Sequence, residues 1–198
     1  MSLTTLGLEL PSDPRWVNIA EMNIGEILID HAWCEQKAAS SCISLIVMYT
    51  DKVELVETLT PIVAEEWGHF QRVLKELRKR NIKLGRQRKD DYVNQLRSRL
   101  RRSIGDQYEQ MMDNLLINAL IEARSCERFK LLSEHLTDES LQKFYRELMI
   151  SEAGHYRTFI ELAELYLPAS RVRERWKDFL AVEADIMATI DVRGDRMH

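Results

Sequence analysis

Glu66-Trp67-Gly68-His69 and Glu152-Ala153-Gly154-His155 are two copies of one short pattern. In each, a Glu precedes a His by three residues, a Gly lies between them, and an aromatic residue (Phe70 or Tyr156) follows. Three residues along an α-helix bring two side chains onto one face about one turn apart, so each copy offers a carboxylate and an imidazole to the same ion. Upstream, Glu35 lies 31 residues before Glu66 and Glu122 lies 30 before Glu152, each on an apolar helical pattern. The duplication predicts two helix pairs and therefore an all-α four-helix bundle. Its predicted metal ligands are Glu35, Glu66, His69, Glu122, Glu152 and His155. Two lone Glu residues and two Glu-x-x-His units, one per helix, are the donor set of a carboxylate-bridged di-iron or di-manganese centre.

A single Glu-x-x-His is weak evidence, because Glu is common on helices; the paired context and the matching upstream spacing carry the inference. The repeat also chooses between neighbours. Glu65 could pair with His69 at four residues' spacing, but its counterpart is Ser151, so Glu66 is the expected ligand. Glu127 lies 25 residues before Glu152, which breaks the register of the first half, and it is expected either in a salt bridge or in a supporting position behind the ligands. His31, one turn before Glu35, has no equivalent in the second half and is read as a packing or supporting histidine. Gly68 and Gly154 each cost a helix roughly 1 kcal/mol relative to Ala. The expected compensation is close approach of a neighbouring helix or ligand.

The chain has 198 residues, 45% of them hydrophobic and 30% charged, which suits one globular domain spanning 1–198 with a substantial core. Only 7 Gly and 4 Pro point to long helices. The spacing predicts helices over 23–49, 61–80 and 107–135, a helix capped by Thr137 that carries Glu152 and His155, and a fifth, amphipathic helix over 169–190. Residues 51–59 read as a short helical link, with Thr60-Pro61 opening the second helix. Asn23 followed by Glu26 reads as a capping box. No apolar run approaches the length needed to cross a bilayer, and no basic region followed by an apolar run opens the chain. The expectation is a cytoplasmic protein with no membrane partner. The three cysteines (Cys34, Cys42 and Cys126) form no Cys-x-x-Cys pair, so neither a disulfide framework nor a thiolate metal site is expected.

The connection between the second and third long helices is a basic insert. Residues 72–102 carry thirteen Lys or Arg against three acids, a local balance of plus ten in a chain of net charge −4. Such segregation favours a polyanionic partner, a nucleic acid or another phosphate-rich molecule, over a solvated helical face with scattered ion pairs, because few acids lie nearby in the chain to pair with. The candidate phosphate contacts are Arg78, Lys79, Arg80, Lys83, Arg86, Arg88, Lys89, Arg97, Arg101 and Arg102. Residues 78–89, with Gly85, read as a loop, and residues 90–102 as a short helix.

Four carboxylates and two neutral imidazoles balance two divalent ions and leave open positions, which suits dioxygen chemistry better than hydrolysis. The chain has no flavin or nicotinamide fingerprint and no iron–sulfur cysteines, so electrons are expected from a separate reductase or ferredoxin-like partner. Around the ligands, the stretches His31-Ala-Trp-Cys-Glu-Gln-Lys-Ala, Glu66-Trp-Gly-His-Phe, Ile121-Glu-Ala-Arg-Ser-Cys-Glu-Arg and Glu152-Ala-Gly-His-Tyr resemble the tRNA hydroxylase family of the ferritin-like superfamily. The resemblance covers residues 23–190 and places the family's metal ligands on the same six positions. It implies two iron ions, dioxygen as co-substrate, tRNA as partner, and hydroxylation of the isopentenyl group of 2-methylthio-isopentenyladenosine next to the anticodon. An apolar pocket for that group is expected among Ala38, Ala39, Cys126 and Phe129. The same ligand set also serves iron storage or peroxide reduction, and oxidation of a small apolar substrate such as an aldehyde. A non-enzymatic helical module that binds nucleic acid is the remaining alternative.

Overall fold

The computed structural model describes residues 5–100 and 106–198. Among them it holds seven α-helices and no strand: α1 (Trp16–Met22), α2 (Ile24–Met48), α3 (Val53–Lys79), α4 (Asp91–Ser98), α5 (Gln107–His135), α6 (Glu139–Tyr166) and α7 (Ala169–Thr189). A single 3-10 turn, Thr5–Gly7, precedes them. None of these helices is long and apolar enough to cross a membrane. The chain divides into two compact units, one of Asn18–Lys89 with Arg193–Met197, the other of Met1–Val17 and Asp90–Val192 with His198.

In the first unit α2 and α3 form a helical hairpin. The buried stripe of α3 runs through Leu55, Leu59, Ile62, Glu66, His69, Phe70, Val73 and Leu77, so Glu66 and His69 occupy positions where helical periodicity demands apolar residues. α3 is one helix from Val53 to Lys79 with Pro61 inside it, which corrects the expected link over 51–59 and the helix start at Pro61. Thr60 does not cap; its hydroxyl donates to the Val56 carbonyl at 2.6 Å. The stripe is in phase on both sides of Pro61, and its burial outweighs the hydrogen bond that proline forfeits. The capping box at the start of α2 is also absent. The Asn23 amide donates back to the Ile19 carbonyl at 2.8 Å, closing α1, while the Glu26 carboxylate is taken by Arg88.

In the second unit α5 and α6 form the corresponding hairpin, and α6 buries Leu141, Phe144, Leu148, Glu152, His155 and Phe159 in one stripe. Asp138 caps α6 by accepting from the Ser140 and Leu141 amides, in place of the expected Thr137. α5 is buried almost all round and carries charges that its neighbours neutralise. Arg124 is fully buried and donates to Glu183 on α7 at 2.7 Å and 2.9 Å, to Glu127 at 2.8 Å, and to the Leu10 carbonyl at 2.9 Å. Glu127 also accepts from the amide and hydroxyl of Ser12, so of its two expected roles it takes the salt bridge. Two further rungs tie α7 to α5, Arg171 to Glu109 and Arg175 to Asp113.

Candidate metal centre

Each unit buries one carboxylate–carboxylate–imidazole triad. In the first, Glu35 from α2 meets Glu66 and His69 from α3, and the donor atoms lie within 4.8 Å of one another. His69 Nδ1 stands 3.7 Å from an oxygen of Glu35 and 3.7 Å from an oxygen of Glu66. In the second, Glu122 from α5 meets Glu152 and His155 from α6 within the same limit, with His155 Nδ1 3.6 Å from Glu152 Oε2. All six residues are buried.

These separations are too long for hydrogen bonds, and they match the edge of a coordination shell. Two donors each about 2.1 Å from a first-row divalent ion are about 3.0–3.6 Å apart at angles of 90–120°. The donor chemistry agrees, since buried carboxylates without a cation would carry a large desolvation cost. Hard oxygen and imidazole donors suit iron or manganese.

His31, fully buried, places Nε2 2.5 Å from Glu35 Oε1 and leaves Oε2 turned toward His69. It therefore fixes the rotamer of Glu35, as residues behind metal ligands generally do. Gly68 and Gly154 do not admit a neighbouring helix: a Cβ at either would meet nothing within 4 Å. The expected close approach of a helix is thus replaced by open space beside each Glu-x-x-His unit.

Of the expected pocket residues, Ala39 is buried and Ala38 half-buried on α2. Cys126 and Phe129 are buried on α5, where the Cys126 thiol donates to the Met149 carbonyl at 3.4 Å and Phe129 packs on Tyr145 with centroids 5.5 Å apart. Burial, and then the negative charge of Glu152, push the Cys126 thiol up to about 12. It stays protonated and does not compete as a thiolate ligand.

The basic insert is partly consumed by structure. Lys79 and Arg80 both pair with Glu76 at 2.6 Å. Arg88 pairs with Glu26 and donates to the Asp195 carbonyl, and Arg196 donates to the Lys89 carbonyl, so residues 193–197 strap down the loop that follows α3. The sequence count of nearby acids missed Glu26 and Asp195, which are remote in the chain. Arg78, Lys83, Arg86, Lys89 and Arg97 are exposed. Arg101 and Arg102 lie outside the described residues. The short helix there is α4, capped by Asp90 and ending at Ser98.

A solved structure of similar fold is Protein 43 with aldehyde deformylating oxygenase activity from Synechococcus, with a TM-score of 0.90 and 34% identity over 96% of this chain and 94% of that one. The fold class is accordingly all-α and ferritin-like. The tRNA 2-(methylsulfanyl)-N(6)-isopentenyladenosine(37) hydroxylase of Pseudomonas putida is 37% identical over 159 residues, 80% of this chain and 76% of that protein. The enzyme of the same name from Salmonella typhimurium is 34% identical over 145 residues, 73% of this chain, which spans about half (52%) of that longer protein. The family model for tRNA-(MS[2]IO[6]A)-hydroxylase (MiaE) matches residues 4–198, and the chain belongs to that family.

Proposed function

We propose that the protein hydroxylates the isopentenyl group of 2-methylthio-isopentenyladenosine next to the anticodon of tRNA, as an O2-dependent di-iron monooxygenase working in the cytoplasm. The observation that carries this reading is the duplicated buried triad in a chain of this family. Glu35, Glu66 and His69 from one unit, and Glu122, Glu152 and His155 from the other, would hold two iron ions as one domain. Bound there, the ions supply the reductive activation of dioxygen. The overall reaction turns a C–H bond into C–OH and releases one water, consuming O2, two protons and two electrons from an external donor.

The chain's own contribution is positional. His31 holds Glu35 in a single orientation, and burial of the six donors keeps bulk water from the reacting region. The exposed cations Arg78, Lys83, Arg86 and Lys89 bind tRNA phosphates, with Arg97, Arg101 and Arg102 assigned the same role. Lys79, Arg80 and Arg88 shape that surface through their ion pairs. A base stacked in an anticodon loop must leave its stack to reach buried groups. Small side chains at Ala38 and Ala39, with Cys126 and Phe129, would line the apolar site for its tail.

The test is incubation of reduced, iron-loaded protein and an electron donor with tRNA carrying the 2-methylthio-isopentenyl group, followed by nucleoside mass analysis. One added oxygen on the modified nucleoside is expected. The similarity to a structure with aldehyde deformylating oxygenase activity favours one other reading, oxidation of a small apolar substrate. Turnover of a long-chain aldehyde with no change in the tRNA nucleoside would put that reading in its place.

A further inference from the structure

Trp67 stands inside the first copy of the metal motif, yet the residue is 47% exposed. Its neighbour Glu66 points into the core, and Trp67 lies about 100° further round the helix. The second copy has Ala153 at this position, so neither the helix nor the triad requires an aromatic there. The indole is not loose. It packs on Phe70 with centroids 5.0 Å apart, and Phe70 packs on Trp33 at 6.3 Å. The indole is thus held by a tilted contact on Phe70 while about half of the residue meets solvent, an aromatic surface whose ordering cost is partly met on folding.

The same face of α3 continues through Gln71, Lys75 and Arg78, which are 4, 8 and 11 residues on and all exposed. Eleven residues of helix span about 16 Å. No acid occupies this stripe. Among the described residues, the side chains of Lys75 and Arg78 make no hydrogen bond or ion pair, whereas Lys79 and Arg80 just beyond are taken by Glu76. An aromatic ring followed along one helix face by two uncommitted cations matches the chemistry of an unpaired base followed by its backbone phosphates.

We propose that the outer face of α3 over residues 67–78 is a track for single-stranded RNA. Trp67 stacks on an unpaired base of the anticodon loop, and Lys75 and Arg78 take the phosphates beside it. This rests on the tRNA reading above and assigns the surface that holds the loop while one base is withdrawn from its stack.

The experiment measures binding of the full-length, iron-loaded protein to a fluorescein-labelled anticodon stem-loop RNA across a salt series. Trp67→Ala is expected to weaken binding roughly tenfold, and Trp67→Phe to recover most of it. The double substitution Lys75→Glu with Arg78→Glu should weaken binding and flatten the slope of log K against log salt by about 0.7 per lost phosphate contact. Iron content and helical circular dichroism should not change in any of them. If wild-type protein binds the stem-loop and these variants bind it equally well with the same slope, the track is wrong while the tRNA reading stands. Absence of binding by wild-type protein would overturn both. Should Trp67→Ala change the sedimentation of the protein and leave RNA affinity unchanged, Trp67 serves a contact between copies and the proposal falls.

Discussion

At the scale of the residue, the donors are placed by local chemistry that leaves measurable traces. Gly68 and Gly154 sit in helices beside the triads with open space where a Cβ would be. Nothing in the packing requires glycine, so Gly68→Ala and Gly154→Ala should each raise stability by up to about 1 kcal/mol through helix propensity. A fall in Tm for either would show that the space serves packing after all. Glu76 titrates with a definite sign. Burial alone would raise its carboxyl, but hydrogen bonds from Lys79 and Arg80 outweigh that and hold it below its ordinary value of 4.5. Its contribution to stability is therefore present above the unfolded value and is lost as pH falls through the folded one. Glu76→Gln should flatten the loss of Tm between neutral and acidic pH, and an unchanged acid limb would remove Glu76 from that account.

At the scale of the element, α7 is held to α5 by matched charges as well as apolar contact. Glu109 and Asp113, one turn apart, meet Arg171 and Arg175, also one turn apart, and Arg124 meets Glu183 further along in the same direction, so the two helices run parallel. The rungs differ in exposure, and that decides their worth. Arg171 is partly open to solvent, where an ion pair contributes about 0–1 kcal/mol. Arg124 is sealed, and its removal strands Glu183 and Glu127 in the interior. Arg124→Ala should cost about 3–5 kcal/mol, while Arg171→Ala should cost under about 1. Chemical denaturation monitored by circular dichroism checks both. Equal effects would mean that solvent exposure does not set the strength of these rungs.

At the scale of the whole molecule, each compact unit buries one lone Glu and one Glu-x-x-His proposed to hold metal. Ions bound only by the folded chain add to its stability, by about 2.7 kcal/mol when free metal is a hundredfold above Kd. Calorimetry should therefore show a lower Tm after chelation, recovered with Fe(II). Glu66→Ala and Glu152→Ala, one from each unit, should both lose iron and lose that shift. Unchanged melting after chelation, or normal iron loading by these two proteins, would reject the ligand set.

The helical class, the duplicated hairpins and the six candidate donors were legible in the chain alone. Those are properties of short-range periodicity: Glu66 and His69 fall in the apolar stripe of α3, and Glu152 and His155 in that of α6, wherever the helices go. The sequence also separated Glu122 from Glu127 by register, and the tertiary structure supplied the reason, the partners Arg124 and Ser12 that Glu127 finds. Remote partnerships became visible only in the folded chain. Pro61 lies within a helix because burial on both sides of it prevails over a local break. Glu26 is withdrawn from capping by Arg88, 62 residues away. Which cations of the basic insert remain for phosphates depends on Glu26, Glu76 and Asp195, two of which lie far from the insert in the chain. Periodicity reports which side of a helix is apolar, and it carries no information on which distant charge will meet that side.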